Sequence, residues 1–334
     1  MFRPSCCLAL PAVSLSTLSS ETRTMLVKIA AFVAVNLGVI WGVGLALEQL
    51  ALRFDYNVPK VQEMMALQGQ SFDTIVLGNS VAQQSFDPTV VDPIAGTHSY
   101  NLATGGQGFL AAELILRQYL RYNEAPERLI IGVFINRGSD GADLSPEIWS
   151  QLDSIERGMY RERYPFYEEA RLPLSFPVFS AVPAFRYRRS LNEGAKYLVA
   201  GDARVAEYRR GFLATRYHLS AAPHFDTVIG ELDAPGLKRL VDVATEAGMD
   251  VLLYEPPSHP GLSQLNPSRE AQLAEVEQIA RDNPRILSFR SFNDDAGLTY
   301  AHEDWSGANH LAVEGAEKLC TEQLGPWLED FVVE

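Results

Sequence analysis

Short apolar segments alternate with longer amphipathic segments along most of the chain after residue 72. Five apolar runs have the length of buried strands, at residues 73–78, 98–103, 128–135, 249–254 and 285–289. Four segments have helical periodicity, at residues 108–122, 233–247, 267–283 and 312–324. Strands that alternate with helices form a parallel sheet covered on both faces. The pattern therefore predicts a three-layer α/β/α domain over residues 73–334 with a five-stranded parallel sheet, as in flavodoxin-like folds.

A separate apolar run precedes this domain. Residues 29–47 carry no charge, and Asn36 is their one strongly polar side chain. A helix needs about 20 such residues to cross a bilayer. We therefore expect one transmembrane anchor at 29–50, a cytoplasmic tail at 1–28 and a linker at 51–72. A cleaved signal peptide and a buried core helix are the alternatives.

The charges around the run predict its orientation. Arg23 and Lys28 precede it, which places the N-terminus in the cytoplasm and the domain in the periplasm or at the cell surface. Met25 is an alternative start that would leave a very short tail. The whole chain has a net charge of −14, which argues against a nucleic-acid partner. Its three cysteines exclude a disulfide framework, and Cys320 is expected in the core.

Residues 139–230 interrupt the alternation as an insertion rich in aromatic residues. They include 12 basic and 12 acidic residues, so the rest of the chain carries the whole net charge. We expect a mainly helical subdomain, and a lid or an interaction surface is the alternative. Its arginines form two local clusters, which either face solvent or meet an anionic polymer or lipid headgroups: Arg186, Arg188, Arg189, Arg209 and Arg210.

Residues suited to acyl chemistry follow several of the predicted strands. Ser80 comes just after the first strand, Gly105 and Gly106 follow the second, and Asn136 follows the third. His310 lies in a loop before the last helix. A serine needs a neutral imidazole as its base, and backbone or amide N–H groups stabilise an oxyanion. Each residue alone is more typical of a cap or a turn.

Taken in this order, the four segments resemble the SGNH hydrolase (GDSL-like) superfamily. The segments are IVLGNSVAQQSFDP, YNLATGGQG, IIGVFINRG and DWSGANHLAVEGAEKL. The chain looks most like the membrane-anchored cell-envelope branch, which includes proteins of polysaccharide O-acetylation and of teichoic-acid D-alanylation. The LGNS opening, the single anchor and the two prolines after the fourth strand (Pro256 and Pro257) fit that branch.

The resemblance implies a role for each matched position. Ser80 would be the nucleophile and would also donate its N–H to the oxyanion. Gly106, with Gly105 as the alternative, and Asn136 would be the other donors. His310 would be the general base.

The chain departs from the family at two positions. Asn79 replaces the usual aspartate before the serine, and Gly307 stands where an aspartate usually precedes the histidine by three residues. Asp304 is the nearest aspartate and the expected third member of a triad. A Ser–His dyad, or a ring oriented by Glu303 or Asn309, is the alternative. We also considered His302, Asp304 and His310 as metal ligands, and the spacing disfavours this because it matches no zinc motif.

The resemblance implies serine-dependent acyl transfer or ester hydrolysis without a cofactor. The expected reaction is O-acetyl transfer to, or removal from, a cell-envelope or exopolysaccharide glycan. A transferase would need a multi-spanning membrane acyltransferase as its partner. One alternative is a catalytically impaired protein that binds glycan or acts as a scaffold in an assembly complex. Another is an esterase of the lipase type that acts on small molecules.

Overall fold

A computed structural model describes residues 19–54, 57–135, 146–163, 182, 187, 207–216, 218–219, 231–263, 265–293 and 298–332. The helices are α1 Ser20–Phe54, α2 Asn57–Ala66, α3 Ser80–Gln83, α4 Pro88–Ala95, α5 Phe109–Tyr122, α6 Pro146–Gln151, α7 Ser154–Arg163, α8 Ala234–Glu246, α9 Pro260–Ser263, α10 Arg269–Asp282, α11 Val313–Leu319 and α12 Gly325–Glu329. The strands are β1 Thr74–Leu77, β2 Ser99–Asn101, β3 Arg128–Gly132, β4 Glu207–Arg209, β5 Phe212–Ala214, β6 Asp250–Glu255, β7 Ile286–Ser291, β8 Trp305–Gly307 and β9 His310–Leu311. Short 3₁₀ and π segments cover His302–Asp304 and Cys320–Leu324.

Five strands form the central sheet in the order β2-β1-β3-β6-β7. Every neighbouring pair in it is parallel, with Ile75 opposite both Tyr100 and Leu129. This confirms the predicted five-stranded parallel sheet, and each strand lies within a few residues of its predicted position. The carboxyl ends of β1, β2 and β3 consequently lie at one edge of the sheet, where ligand sites form in such folds.

Alternate residues of each strand pack into cores on opposite faces of the sheet. Ile75 and Leu77 belong to a cluster with α5 and α8, whereas Val76 belongs to a cluster with α4 and α11. Both clusters are fully buried at the strands, which explains why the strands are continuously apolar in sequence. The three-layer arrangement follows from this two-sided burial.

Helix α1 is 35 residues long and presents an apolar surface, with most of its large side chains exposed. Within the described residues it is the one helix that is long and apolar enough to cross a membrane. A signal sequence near an N-terminus has the same properties. The predicted apolar helix is therefore present. Only 6% of its apolar 18-residue window is buried, which disagrees with the alternative of a core helix.

The described part of the insertion contains more than helices. Helices α6 and α7 agree with the helical prediction, but β4 and β5 form an antiparallel hairpin that the sequence did not predict. Arg209 and Arg210 belong to this hairpin and form ion pairs with Asp87 and Asp92. They are therefore not a free basic patch, whereas Arg186, Arg188 and Arg189 lie outside the described residues.

Cys320 is fully buried, as predicted. Its Sγ atom lies 3.3 Å from the backbone N–H of Asp87 and 3.3 Å from the carbonyl oxygen of Ser85. Burial raises the pKa of this thiol, which is consistent with a core role.

Candidate active site

A sharp turn from strand to helix presents Ser80. Strand β1 ends at Leu77, Gly78 adopts φ +146°, and α3 begins at Ser80. Asn79 caps that helix, because its Oδ1 accepts a hydrogen bond from the N–H of Val81 at 2.9 Å. A Cβ atom on Gly78 would lie 2.7 Å from Ala82 Cβ. Only glycine permits both this backbone conformation and this close approach.

The loop that carries His310 is a short antiparallel hairpin. Strand β8 pairs with β9, so that Trp305 lies opposite Leu311 and Gly307 opposite His310. Trp305 and Leu311 are buried in the core below the site. The hairpin therefore has an apolar anchor on one side and holds His310 half-buried on the other.

Ser80 and His310 meet, although 230 residues separate them in sequence. The Nε2 atom of His310 lies 2.7 Å from the Oγ atom of Ser80. This is a hydrogen-bond distance, and both side chains are half-buried. A neutral imidazole in this position can accept the hydroxyl proton as the serine attacks a carbonyl carbon.

The Asp304 carboxylate does not join this pair. Its Oδ2 atom accepts a hydrogen bond from the N–H of Ala301 at 2.7 Å and lies 3.5 Å from Lys318 Nζ. The position three residues before the histidine, where the family usually has an aspartate, is Gly307. A Cβ atom built on Gly307 would lie 3.3 Å from His310 Nδ1. The expected third member of the triad therefore has other partners, because Asp304 ends the 3₁₀ segment His302–Asp304 and its carboxylate caps the start of that segment at Ala301.

An open cleft with about 660 Å³ of empty space, including space open to solvent, lies beside Ser80. Gly106 lines the cleft and adopts φ +73°, so its glycine identity follows from the turn. The predicted oxyanion donors Ser80 and Gly106 thus share one cleft, whereas Asn136 lies outside the described residues. Asn309, Gln107 and other polar side chains also line it.

A buried carboxylate supports the loops at this edge of the sheet. Glu255 ends β6 and accepts hydrogen bonds from Arg269 at 2.6 Å, Ser291 at 2.5 Å and Asn293 at 2.9 Å. Burial raises the pKa of Glu255, and these partners, above all the Arg269 guanidinium, oppose the rise. Asn293 in turn accepts from the N–H of Ser258 at 2.6 Å, which holds the loop after β6.

That loop contacts the segment that carries His310. The N–H of His259 donates to the carbonyl oxygen of Ala308 at 3.0 Å. Its ring meets Trp305 edge-on, with ring centroids 5.6 Å apart. Burial and, to a lesser extent, nearby His302 lower the pKa of His259, which favours its neutral form. Nothing in the local sequence around His259 or Glu255 indicates these contacts.

No protein-family model matches the chain, and no curated protein matches it. Solved structures do match it, including one described as "a putative platelet activating factor from Streptococcus pneumonia". That match has 12% sequence identity and a TM-score of 0.40, and it covers 81% of this chain and 92% of the other. A likeness this distant indicates nothing about the activity of this chain.

Proposed function

We propose that the chain is a serine-dependent acyl-transfer enzyme that acts on O-acetyl groups of a glycan outside the cytoplasm. The observation that carries this proposal is the 2.7 Å contact between His310 Nε2 and Ser80 Oγ. Two residues 230 positions apart meet in the arrangement that serine acyl chemistry requires. The resemblance to the membrane-anchored SGNH proteins supports the location and the glycan substrate.

The reaction has two balanced steps. Ser80 Oγ attacks the ester carbonyl carbon and its proton passes to His310 Nε2, which then protonates the departing alcohol as acyl-Ser80 forms. Water or a sugar hydroxyl next loses its proton to His310 and attacks the carbonyl carbon of acyl-Ser80. The bond from that carbon to Ser80 Oγ then breaks, His310 returns the proton to Oγ, and the acyl group leaves as the free acid or as the sugar ester. In the proposal, the N–H groups of Ser80 and Gly106 and the side chain of Asn136 stabilise the oxyanion.

The cleft has a mixed lining that includes polar groups as well as apolar ones. The polar residues are Asn79, Gln107, Asp233 and Asn309, and the large apolar residues are Phe109, Phe134 and Leu232. The polar groups suit a hydroxyl-rich sugar, whereas an esterase of the lipase type needs a deep apolar slot. Transfer would require an acyl donor from the cytoplasm, so a multi-spanning acyltransferase belongs to the proposal as a partner. Hydrolysis of the same ester requires no partner.

A fluorophosphonate probe tests the activated serine directly on the full chain in detergent. We expect covalent labelling of the wild type and its loss in both Ser80→Ala and His310→Ala. Exposed Ser154 provides the matched control, and Ser154→Ala should label like the wild type. Labelling of Ser80→Ala at the wild-type rate would contradict the proposal. Acetyl-ester hydrolysis with and without a glycan acceptor would then separate the hydrolase from the transferase.

One observation favours a second candidate, a catalytically impaired binding or scaffold protein. The Asp304 carboxylate contacts Ala301 and Lys318, so the expected triad is incomplete at that position. A wild-type chain that is folded but unlabelled, yet binds acetylated envelope glycan, would favour this candidate.

A further inference from the structure

One short segment of the insertion contacts both halves of the candidate site. We call residues 207–216 together with 218–219 the strap. It comprises β4, β5 and the turn between them, where Arg210 adopts φ +45° and Gly211 φ +82°. Strand β4 pairs with β5 so that Glu207 lies opposite Ala214. The strap is thus a defined hairpin with a tail, not a loose connection.

The turn of the strap is fixed to the Ser80 side of the site. Arg209 lies 3.4 Å from the Asp87 carboxylate, and Arg210 pairs with Asp92. Asp87 and Asp92 belong to the segment that directly follows α3, the helix that starts at Ser80. The carbonyl oxygen of Arg210 also accepts a hydrogen bond from the N–H of Asn101 at 3.0 Å, at the edge strand β2 of the sheet.

The tail of the strap is fixed to the His310 side. The carbonyl oxygen of Thr215 accepts a hydrogen bond from the N–H of Val313 at 2.9 Å. The N–H of Leu219 donates to the carbonyl oxygen of Trp305, also at 2.9 Å. Trp305 and Val313 flank the hairpin that carries His310. Backbone bonds therefore hold this hairpin from both ends.

Apolar packing joins the same two sides. Phe212 and Ala214 of the strap are fully buried. They share one core cluster with Ala82 of α3 and with Trp305 and Leu311 of the His310 hairpin. The strap thus shares one apolar core with the two elements that carry the Ser–His pair, and within that core α3 and β9 also contact each other directly.

A polar contact at the centre links all three parts. Thr215 Oγ1 donates to Gln84 Oε1 at 3.2 Å, and the N–H of Gln84 donates to the carbonyl oxygen of Ser80 at 3.1 Å. Ser306 Oγ lies 3.4 Å from the same Gln84 oxygen and 3.3 Å from the carbonyl oxygen of His310. Ser306 shares one proton among several acceptors, so the Thr215 hydroxyl is the better-defined donor to Gln84.

We propose that the strap is a positioning element that holds Ser80 and His310 in contact, and that Thr215 and Gln84 are its positioning residues. This inference rests on the proposed function, because it concerns the rate at which the same serine reacts. Neither residue touches the reacting atoms. They act through the backbone of α3 and through the hairpin β8–β9, whose alignment sets the Oγ–Nε2 distance. Reactions of this kind are sensitive to displacements below 1 Å.

The test compares variants of Thr215 in the full chain, solubilised in detergent. Thr215→Val keeps the shape of the side chain but removes the hydroxyl, and Thr215→Ser keeps the hydroxyl. We expect Thr215→Val to lower the maximal rate of fluorophosphonate labelling roughly tenfold with unchanged probe affinity, and Thr215→Ser to label at nearly the wild-type rate. Thr245 is the matched control, because its hydroxyl donates to the backbone carbonyl oxygen of Asp242 at the exposed end of α8. Thr245→Val should label like the wild type.

The outcomes separate this inference from the proposed function. An unlabelled wild type contradicts the proposed function itself. A labelled wild type together with an equally fast Thr215→Val overturns the strap. Equal slowing of Thr215→Val and Thr215→Ser, with the same fall in melting temperature, also overturns it, because packing alone would then explain the effect. If Thr215→Val does not fold, Gln84→Met removes the same hydrogen bond from the other side and is judged by the same rates.

Discussion

At the level of single residues, the candidate site depends on which carboxylate, if any, orients His310. In a Ser–His–Asp triad the carboxylate fixes the histidine tautomer, and its loss lowers the rate by about 10⁴-fold. Here the Asp304 carboxylate contacts the N–H of Ala301 and Lys318 Nζ instead. Its position predicts a role in stabilising the turn before the hairpin β8–β9 and not in catalysis.

Asp304→Asn tests this assignment. We expect the variant to label with the fluorophosphonate probe within about threefold of the wild type, since the ring of His310 keeps its contact with Ser80. The variant loses a buried charge that faces Lys318 and weakens its hydrogen bond with Ala301, so we expect the free energy of unfolding to fall by about 1–3 kcal/mol. Labelling rates and urea unfolding measure the two effects separately. A loss of labelling near that of His310→Ala would show instead that Asp304 completes a triad in the reacting enzyme.

Local sequence indicates some site residues and not others. Ser80 and His310 are predictable because each is a reactive residue type in a loop beside a strand or helix end. The contact of Gln84 with Thr215 spans 131 residues, and that with Ser306 spans 222. Such a contact depends on the packing of the whole domain, and common polar residues give no local sign of it. Nor does the local sequence indicate that the buried Asp304 carboxylate contacts Ala301 and Lys318 and not His310.

At the level of elements, the helix α2 is joined to the sheet through a fully buried lysine. Lys60 Nζ donates to the carbonyl oxygen of Gly211 at 2.7 Å and also to that of Asn101. Burial lowers the pKa of Lys60 to about 7, and the nearby carboxylate of Glu63 opposes the shift. Lys60 thus links the helix after the apolar segment α1 to the edge strand β2 and to the strap.

This lysine makes a definite contribution to the pH dependence of stability. Its pKa is lower in the folded chain than its usual 10.5, so the unfolded chain binds one more proton between about pH 7 and pH 10. Stability therefore rises with pH in that range, by up to about 1.4 kcal/mol per pH unit, and this contribution is constant below about pH 7. We expect Lys60→Met to remove this slope, as measured by urea unfolding across that range.

The comparison needs a lysine that is not buried. Lys238 lies exposed on α8, and Lys238→Met should leave the slope unchanged. Lys60→Met also leaves two carbonyl groups without this donor, and the cost of that loss is the same at every pH, so it adds no slope of its own. A Lys60→Met chain that keeps the wild-type slope would show that other groups cause it.

At the level of the whole molecule, the sheet was predictable and the hairpins were not. Strands β1, β3 and β6 are buried on both faces over nearly their whole length, so each is a largely apolar run that is visible in sequence. The pairs β4–β5 and β8–β9 have strands of only two or three residues, which is too short for a periodic pattern. The hairpin β4–β5 is held by ion pairs with Asp87 and Asp92. The hairpin β8–β9 is held by a backbone hydrogen bond between Trp305 and Leu219 of the strap. The site therefore joins a predictable sheet edge to segments that only tertiary structure defines.

The long apolar run in α1 predicts that the whole chain associates with a membrane through this helix. We expect the full chain to stay with the membrane after alkaline carbonate treatment and to be released by detergent, because its apolar surface covers roughly the 20 residues that span a bilayer. Leu37 lies exposed at the middle of α1, and Leu37→Arg should weaken insertion by about 3 kcal/mol. Leu287→Arg, at a partly exposed position on β7, is the matched control and should fractionate like the wild type. Release of an intact chain by carbonate would contradict an anchor, and release of a chain that has lost α1 would identify the helix as a signal sequence.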